Sequence, residues 1–169
     1  MFEYSDESIE EIETDFPKLR GGRYRIASSQ DKKYNCIAFA AGDINRYWQN
    51  LGHPMKGYFW PPGLTDDETI DGWMRAFRLL NYEVTNTADP EIGFEKIAIY
   101  GTQEGTALHV AIRKDSGPWM SKLGKGHDIE HETLDILECG IQHKSDQEHS
   151  PCYGRAIIFM RRKRHQVMH

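Results

Sequence analysis

Two residues in this chain have the type and setting for joint covalent chemistry. The first is Cys36, in Tyr34-Asn35-Cys36-Ile37-Ala38-Phe39-Ala40-Ala41-Gly42-Asp43. An extended lead-in meets a small, apolar run there. The pattern predicts a helix from about Asn35 to Gln49, stopped by Leu51-Gly52-His53-Pro54. A cysteine in the first turn of a helix faces unpaired backbone N–H groups and the positive end of the macrodipole. Both favour the thiolate, which is the nucleophilic form. A buried packing cysteine would have the same local sequence, so the choice rests on finding a base. His109 is that candidate, in Thr106-Ala107-Leu108-His109-Val110-Ala111-Ile112-Arg113. Strand alternation gives Leu108, Val110 and Ile112 one face and His109, Ala111 and Arg113 the other. His109 then stands beside small neighbours, on a face that another element can approach closely.

The remaining pattern says what would carry these two residues. Ser5 to Thr14 predicts a short acidic helix anchored by Ile9 and Ile12, followed by a connector and a short strand at Tyr24 to Ala27. Thr65-Asp66-Asp67-Glu68 has the form of a capping box. Ile70, Trp73, Met74, Phe77 and Leu80 then follow at helical spacing, a core-facing stripe, with Asn81 in the helix-ending position. Strand signals dominate afterwards, at Tyr82 to Thr85, Phe94 to Gly101, Leu108 to Lys114 and Trp119 to Leu123. A late helix is predicted from Asp128 through Glu138. Tyr153 to Arg161 is a near-continuous apolar run and predicts a central closing strand. Hairpin-length connections imply an antiparallel sheet with helices against it, an α+β fold in one domain over 1–169. Within it, 1–30 is an N-terminal helix and connector, and 162–169 a basic tail.

Composition narrows the function classes. The formal net charge of −5 argues against general nucleic-acid binding, and the basic cluster Arg161-Arg162-Lys163-Arg164 is local. No run approaches the ~20 apolar residues of a membrane span. The acidic start Met-Phe-Glu-Tyr-Ser-Asp-Glu is unlike a secretory signal. The expectation is a cytoplasmic protein, with leaderless export left open. The three cysteines, Cys36, Cys139 and Cys152, do not form a disulfide framework, although a Cys139–Cys152 pairing stays open. His127 and His131 are four residues apart and, on one helix face, would make half a zinc site with Cys139 and His143 nearby. No Cys-x-x-Cys accompanies them, so no metal and no cofactor is expected. Gly101-Thr102-Gln103-Glu104-Gly105 lacks the lysine of a phosphate loop and reads as a hairpin turn.

Tyr34-Asn35-Cys36 followed by a small-residue helix, and His109-Val110-Ala111-Ile112 about seventy residues later, together resemble the papain-like cysteine amidases, nearest to the bacterial cell-wall peptidase branch. The resemblance implies a papain-like fold, with the cysteine helix packed on an antiparallel sheet and flanked by further helices. It implies Cys36 as nucleophile and His109 as base. A third polar residue on the return strand falls at Ser121, where the family commonly has His, Asn or Gln. Ser121 departs from that pattern, and Asp128 is the other candidate to orient the ring. In a simple hairpin Lys122 stands opposite His109, but it is a donor only and would depress the imidazole's basicity. Papain's oxyanion glutamine corresponds to Gln30, six residues before Cys36. The backbone N–H of Cys36 is a second donor.

A second likeness spans most of the chain. Tyr34-Asn35-Cys36-Ile37-Ala38, Trp60-Pro61-Pro62-Gly63, Gly93-Phe94-Glu95-Lys96-Ile97-Ala98, Trp119-Met120-Ser121-Lys122-Leu123-Gly124 and Asp128-Ile129-Glu130-His131 resemble, as a set, an uncharacterised bacterial family of this length. The expected function is a thiol hydrolase acting on a peptide or other amide-containing substrate, in a groove bordered by Tyr34 and Asn35 and walled by Tyr58, Trp60 and Trp119. The same dyad would serve a deamidase or acyltransferase. The same fold without catalysis would serve as a binding or immunity-type module with a protein partner.

Overall fold

The computed structural model describes residues 6–123, 126–139 and 153–164. Its centre is a seven-stranded sheet. The strands are β1 (Tyr24–Ser28), β4 (Glu83–Thr85), β5 (Phe94–Gly101), β6 (Ala107–Lys114), β7 (Trp119–Lys122), β8 (Asp128–His131) and β9 (Arg155–Lys163). They lie in the order β1-β8-β7-β6-β5-β9-β4, and each neighbouring pair is antiparallel. Two short strands, β2 (Tyr47–Trp48) and β3 (Tyr58–Phe59), pair in parallel outside this sheet. The helices are α1 (Asp6–Asp15), α2 (Cys36–Ala40) and α3 (Ile70–Leu79). The α+β class with an antiparallel sheet therefore follows the sequence pattern.

Period-two alternation along the central strands feeds two cores. Ile97, Ile99, Val110, Ile112 and Met160 pack with Ile37, Ala38 and Ala40 of α2 and Ile70, Trp73 and Phe77 of α3. The residues between them, Ala98, Tyr100 and Ala111, pack on the opposite side with Trp119, Ile129, Ile12, Phe16, Leu19 and Leu137. The sheet thus separates a face covered by α2 and α3 from one covered by α1 and two short 3-10 turns, Pro17–Leu19 and Asp135–Leu137.

Local chemistry sets several boundaries away from their expected places. The predicted helix from Asn35 to Gln49 is only the five residues of α2. Asn35 caps it, accepting from Ala38 N at 3.2 Å. Gly42 leaves the helical region at φ +87°, and the Asp43 carboxylate then captures Asn45 N, Arg46 N and Trp48 Nε1. Those bonds hold a turn where more helix was expected. The cap of α3 is Thr69, not Thr65: Thr69 accepts from Gly72 N, while Asp66 accepts from the N–H groups of Glu68 and Thr69. The stripe is inward as expected, and Asn81 ends the helix at φ +71°.

The late helix is absent. Asp128-Ile129-Glu130-His131 alternates with period two, and it is strand β8 between β1 and β7, with only a 3-10 turn following. β9 is interior but next to the edge strand, and its Ile157 is 42% exposed. It continues to Lys163, so the basic tail begins later than residue 162. Arg161 and Arg162 are held on the sheet by Glu91 and Glu95 at 2.7 and 2.9 Å. β1 joins the same sheet, so the expected N-terminal connector contributes a strand to it. Among the described residues, no helix is long and apolar enough to cross a membrane.

Candidate functional site

The antiparallel registers bring the start of β6, the end of β7, the start of β8 and the end of β1 to one end of the sheet. The candidate residues collect there. α2 packs on β6 and β7, and Cys36 at its start is buried, 9% exposed. The expectation of a readily ionised thiol is not met. Burial pushes Cys36 up to about 11. Hydrogen bonds from the backbone N–H groups of Val110, Ile37 and Cys36, and the charge of Lys122, act in the opposite direction but are outweighed. The helix-start effect is present in kind; desolvation of the anion exceeds it.

His109 is fully buried. Its ring lies parallel to Tyr153 at 4.1 Å between centroids, with Tyr100 5.3 Å away. Burial first, and then the neighbouring His131, hold its pKa well below the usual imidazole value. His109 Nε2 is 2.9 Å from Ser121 Oγ, so Ser121 does meet the ring as expected of the third position. Ser121 Oγ is in turn 2.7 Å from His131 Nε2, and His131 Nδ1 is 2.9 Å from the carbonyl oxygen of Thr133. His131 is the site residue that the sequence does not single out: its spacing from His127 suggests only a helix-borne metal pair, and no metal is expected there. The alternation of Asp128-Ile129-Glu130-His131 was the available signal, because it puts His131 and Ile129 on the Ser121 face of the sheet.

Cys36 and His109 are close in the fold but not bonded. The pleat of β6 sends Val110 towards α2 and His109 towards the other core, and the sulfur meets the Val110 amide. The two groups approach β6 from its two sides. His109 Nδ1 has no hydrogen-bond partner among the described residues. The expected contact between sulfur and imidazole is therefore not made in this arrangement.

Asp128 does not orient the ring. Its Oδ2 accepts from Ser28 Oγ at 2.6 Å and Tyr34 OH at 2.9 Å, on the α2 side of the sheet. Asp128 Oδ1 is buried without a partner. Tyr34 is pushed up to about 12, chiefly by burial and then by the Asp128 bond. Lys122 points to this side too: its Nζ donates to Gly126 O at 2.6 Å and lies 5.1 Å from the Tyr34 ring centroid. Burial lowers its pKa, while Asp128, Asp31 and Cys36 raise it. Asn35 is a structural cap whose amide also pins Trp48 at both N and O.

The outlying candidates divide. Gln30 is exposed in the loop after β1. Tyr58 and Trp60 do line a groove of about 590 Å³ with Asn50, His53, Met55 and Phe59. Neither Cys36 nor His109 borders that groove. Trp119 is not a wall; it is 2% exposed in the core beneath Arg113. His127 precedes β8, with its Nδ1 2.9 Å from Ser28 O, and shares no helix face with His131. Among the described residues, no group of three or more His, Cys, Asp or Glu side chains is arranged to hold a metal ion. His143 and the Cys152 half of the Cys139–Cys152 pairing lie outside the described residues.

Comparison with known proteins returns one match. A family model described as a domain of unknown function (DUF7689) matches residues 25–161. No curated protein and no solved structure matches the chain.

Proposed function

The chain belongs to the DUF7689 domain family, and we propose that it is a papain-like thiol hydrolase acting on an amide or related acyl substrate. One observation carries this reading. His109 is completely buried, anchored through one nitrogen, and keeps its other nitrogen unpartnered at the end of the sheet where Cys36 begins its helix. Leaving a buried polar atom unpaired costs about 1–3 kcal/mol, a cost that a reacting partner at that atom would repay.

The chemistry follows from the two shifts. A thiol pushed up and an imidazole pushed down make a neutral pair, not an ion pair. Cys36 then attacks as its proton passes to His109 Nδ1, a step that requires the sulfur and the imidazole to meet. The sulfur–carbon bond forms, and the carbonyl oxygen takes the negative charge. The backbone N–H of Cys36 is a donor for it. The carbon–nitrogen bond breaks as His109 returns the proton to the leaving amine. Water then releases the acyl group from the thioester, with His109 again holding the proton. A deamidase or acyltransferase would use the same steps with a different donor or acceptor.

A second reading has its own support. The thiol is almost wholly buried, is held at about 11 and lies across β6 from the imidazole, as in a binding module that uses the fold without catalysis. A panel of peptide, side-chain amide and thioester substrates, run with the wild type beside Cys36→Ala, separates the two. Turnover lost in Cys36→Ala supports the hydrolase. Equal signals from both proteins overturn it and leave the binding module.

A further inference from the structure

The buried row His109, Ser121, His131 and Thr133 carries more than orientation, because each of its hydrogen bonds has one chemically allowed sense. Thr133 O is a carbonyl oxygen and only accepts, so the 2.9 Å contact puts a proton on His131 Nδ1. Burial keeps His131 neutral at physiological pH, and its Nε2 is then a lone pair. The 2.7 Å contact requires Ser121 to donate its single hydroxyl proton to that nitrogen. With that proton committed, Ser121 Oγ accepts, and the 2.9 Å contact puts a proton on His109 Nε2. A neutral His109 so protonated carries its lone pair on Nδ1, the atom that has no partner.

We propose that Ser121 and His131 are positioning residues that lock His109 in the Nε2–H tautomer, so that Nδ1 is the basic atom presented at the Cys36 end of the sheet. The catalytic meaning of this lock rests on the thiol-hydrolase reading; the lock itself does not. It also accounts for a serine where the resembling family has His, Asn or Gln. A hydroxyl cannot fix a tautomer alone, since it donates or accepts with equal ease. A second histidine, itself fixed by a carbonyl, removes that freedom. Tyr153 stacked on the ring keeps the imidazole in the plane that these bonds need.

The test is the tautomer of His109, read from the long-range proton–nitrogen NMR pattern of histidine-labelled protein at neutral pH. The wild type is expected to show Nε2–H with an unprotonated Nδ1. Ser121→Thr keeps a hydroxyl and is expected to retain that pattern. His131→Phe keeps a planar aromatic ring but removes the acceptor, which frees the Ser121 proton to turn towards His109. The Nε2–H to Nδ1–H ratio is then expected to fall about tenfold, the equilibrium factor of one net hydrogen bond. A wild type with Nδ1–H overturns the proposal, even if His131→Phe does not fold. An unchanged tautomer in a folded His131→Phe also overturns it. Failure of the hydrolase reading would appear elsewhere, as absent Cys36-dependent turnover with the wild-type tautomer intact.

Discussion

Acidification should destabilise this protein above the range in which its carboxylates titrate, and His131 supplies a calculable share. Burial lowers the His131 pKa to about 4, against an unfolded value of about 6.5. Between those values the unfolded chain binds the proton and the folded one does not. Stability from this group is therefore fully present above about pH 6.5 and is lost as the pH falls towards 4. At about 1.4 kcal/mol per pH unit the whole gap is worth about 3 kcal/mol, of which about 2 kcal/mol falls between pH 7 and pH 5. His109, also lowered by burial, acts in the same direction. The perturbation that isolates His131 is His131→Phe. Urea unfolding followed by tryptophan fluorescence at pH 7, 6 and 5 gives the stability of each protein. The wild type is expected to lose about 2 kcal/mol more than the variant across that range. Parallel pH profiles would refute the reasoning, because they would mean that His131 titrates alike in both states.

Other expectations rest on separate parts of the structure. Cys36, held at about 11 against an ordinary 9.0, carries about one hundredth of the ordinary thiolate near neutrality. Iodoacetamide should accordingly label it about 100-fold more slowly than free cysteine, speeding up as the pH rises; labelling at the free-cysteine rate would contradict the burial argument. Phe77 is fully buried, stacked edge-on with Tyr82 at 5.5 Å, so Phe77→Ala should cost about 3–5 kcal/mol in urea unfolding. A β-carbon at Gly101 would meet Thr106 O at 2.5 Å and Ile70 Cδ1 at 2.6 Å. Gly101→Ala should then cost about 1–3 kcal/mol by overpacking the junction of hairpin and α3, and an unchanged melting temperature would show that the junction yields.

What was legible in the sequence follows the length and clarity of each pattern. β5 and β6 are long, apolar and joined by a glycine-bounded turn, and they lie where the alternation put them. The α3 stripe was equally plain, but its cap was not. Thr65 and Thr69 both precede acceptable helical residues, and the choice was made by Asp66, whose carboxylate gathers the N–H groups of Glu68 and Thr69. α2 was overestimated because small residues permit a helix without requiring one, and Asp43 offers the backbone a better set of bonds. The Asp128–Glu138 segment failed on a competition between two periods: Ile129, Leu134 and Leu137 suggest helical spacing, while Asp-Ile-Glu-His alternates. The alternation won because β1 and β7 both offer free edges to it. At the site, the Ser121–His109 contact falls at the third position that the family resemblance implied, whereas simple hairpin pairing puts Lys122 opposite His109. The part of His131 was not legible, because it depends on strand β8, whose sequence also fits helical spacing. Nor was the burial of Cys36 readable, since a helix start says nothing about what covers it.

The most direct measurement of the central claim is the rate at which Cys36 accepts an acyl group. Intact mass would be followed after mixing wild type, Cys36→Ser and His109→Ala with a small activated acyl ester at neutral pH. The account predicts a single adduct mapped to Cys36 in the wild type, its absence in Cys36→Ser, and acylation slowed by about 10²–10⁴ in a folded His109→Ala. Acylation of Cys36 at the same rate with and without His109, or no adduct on Cys36 at all, would contradict it.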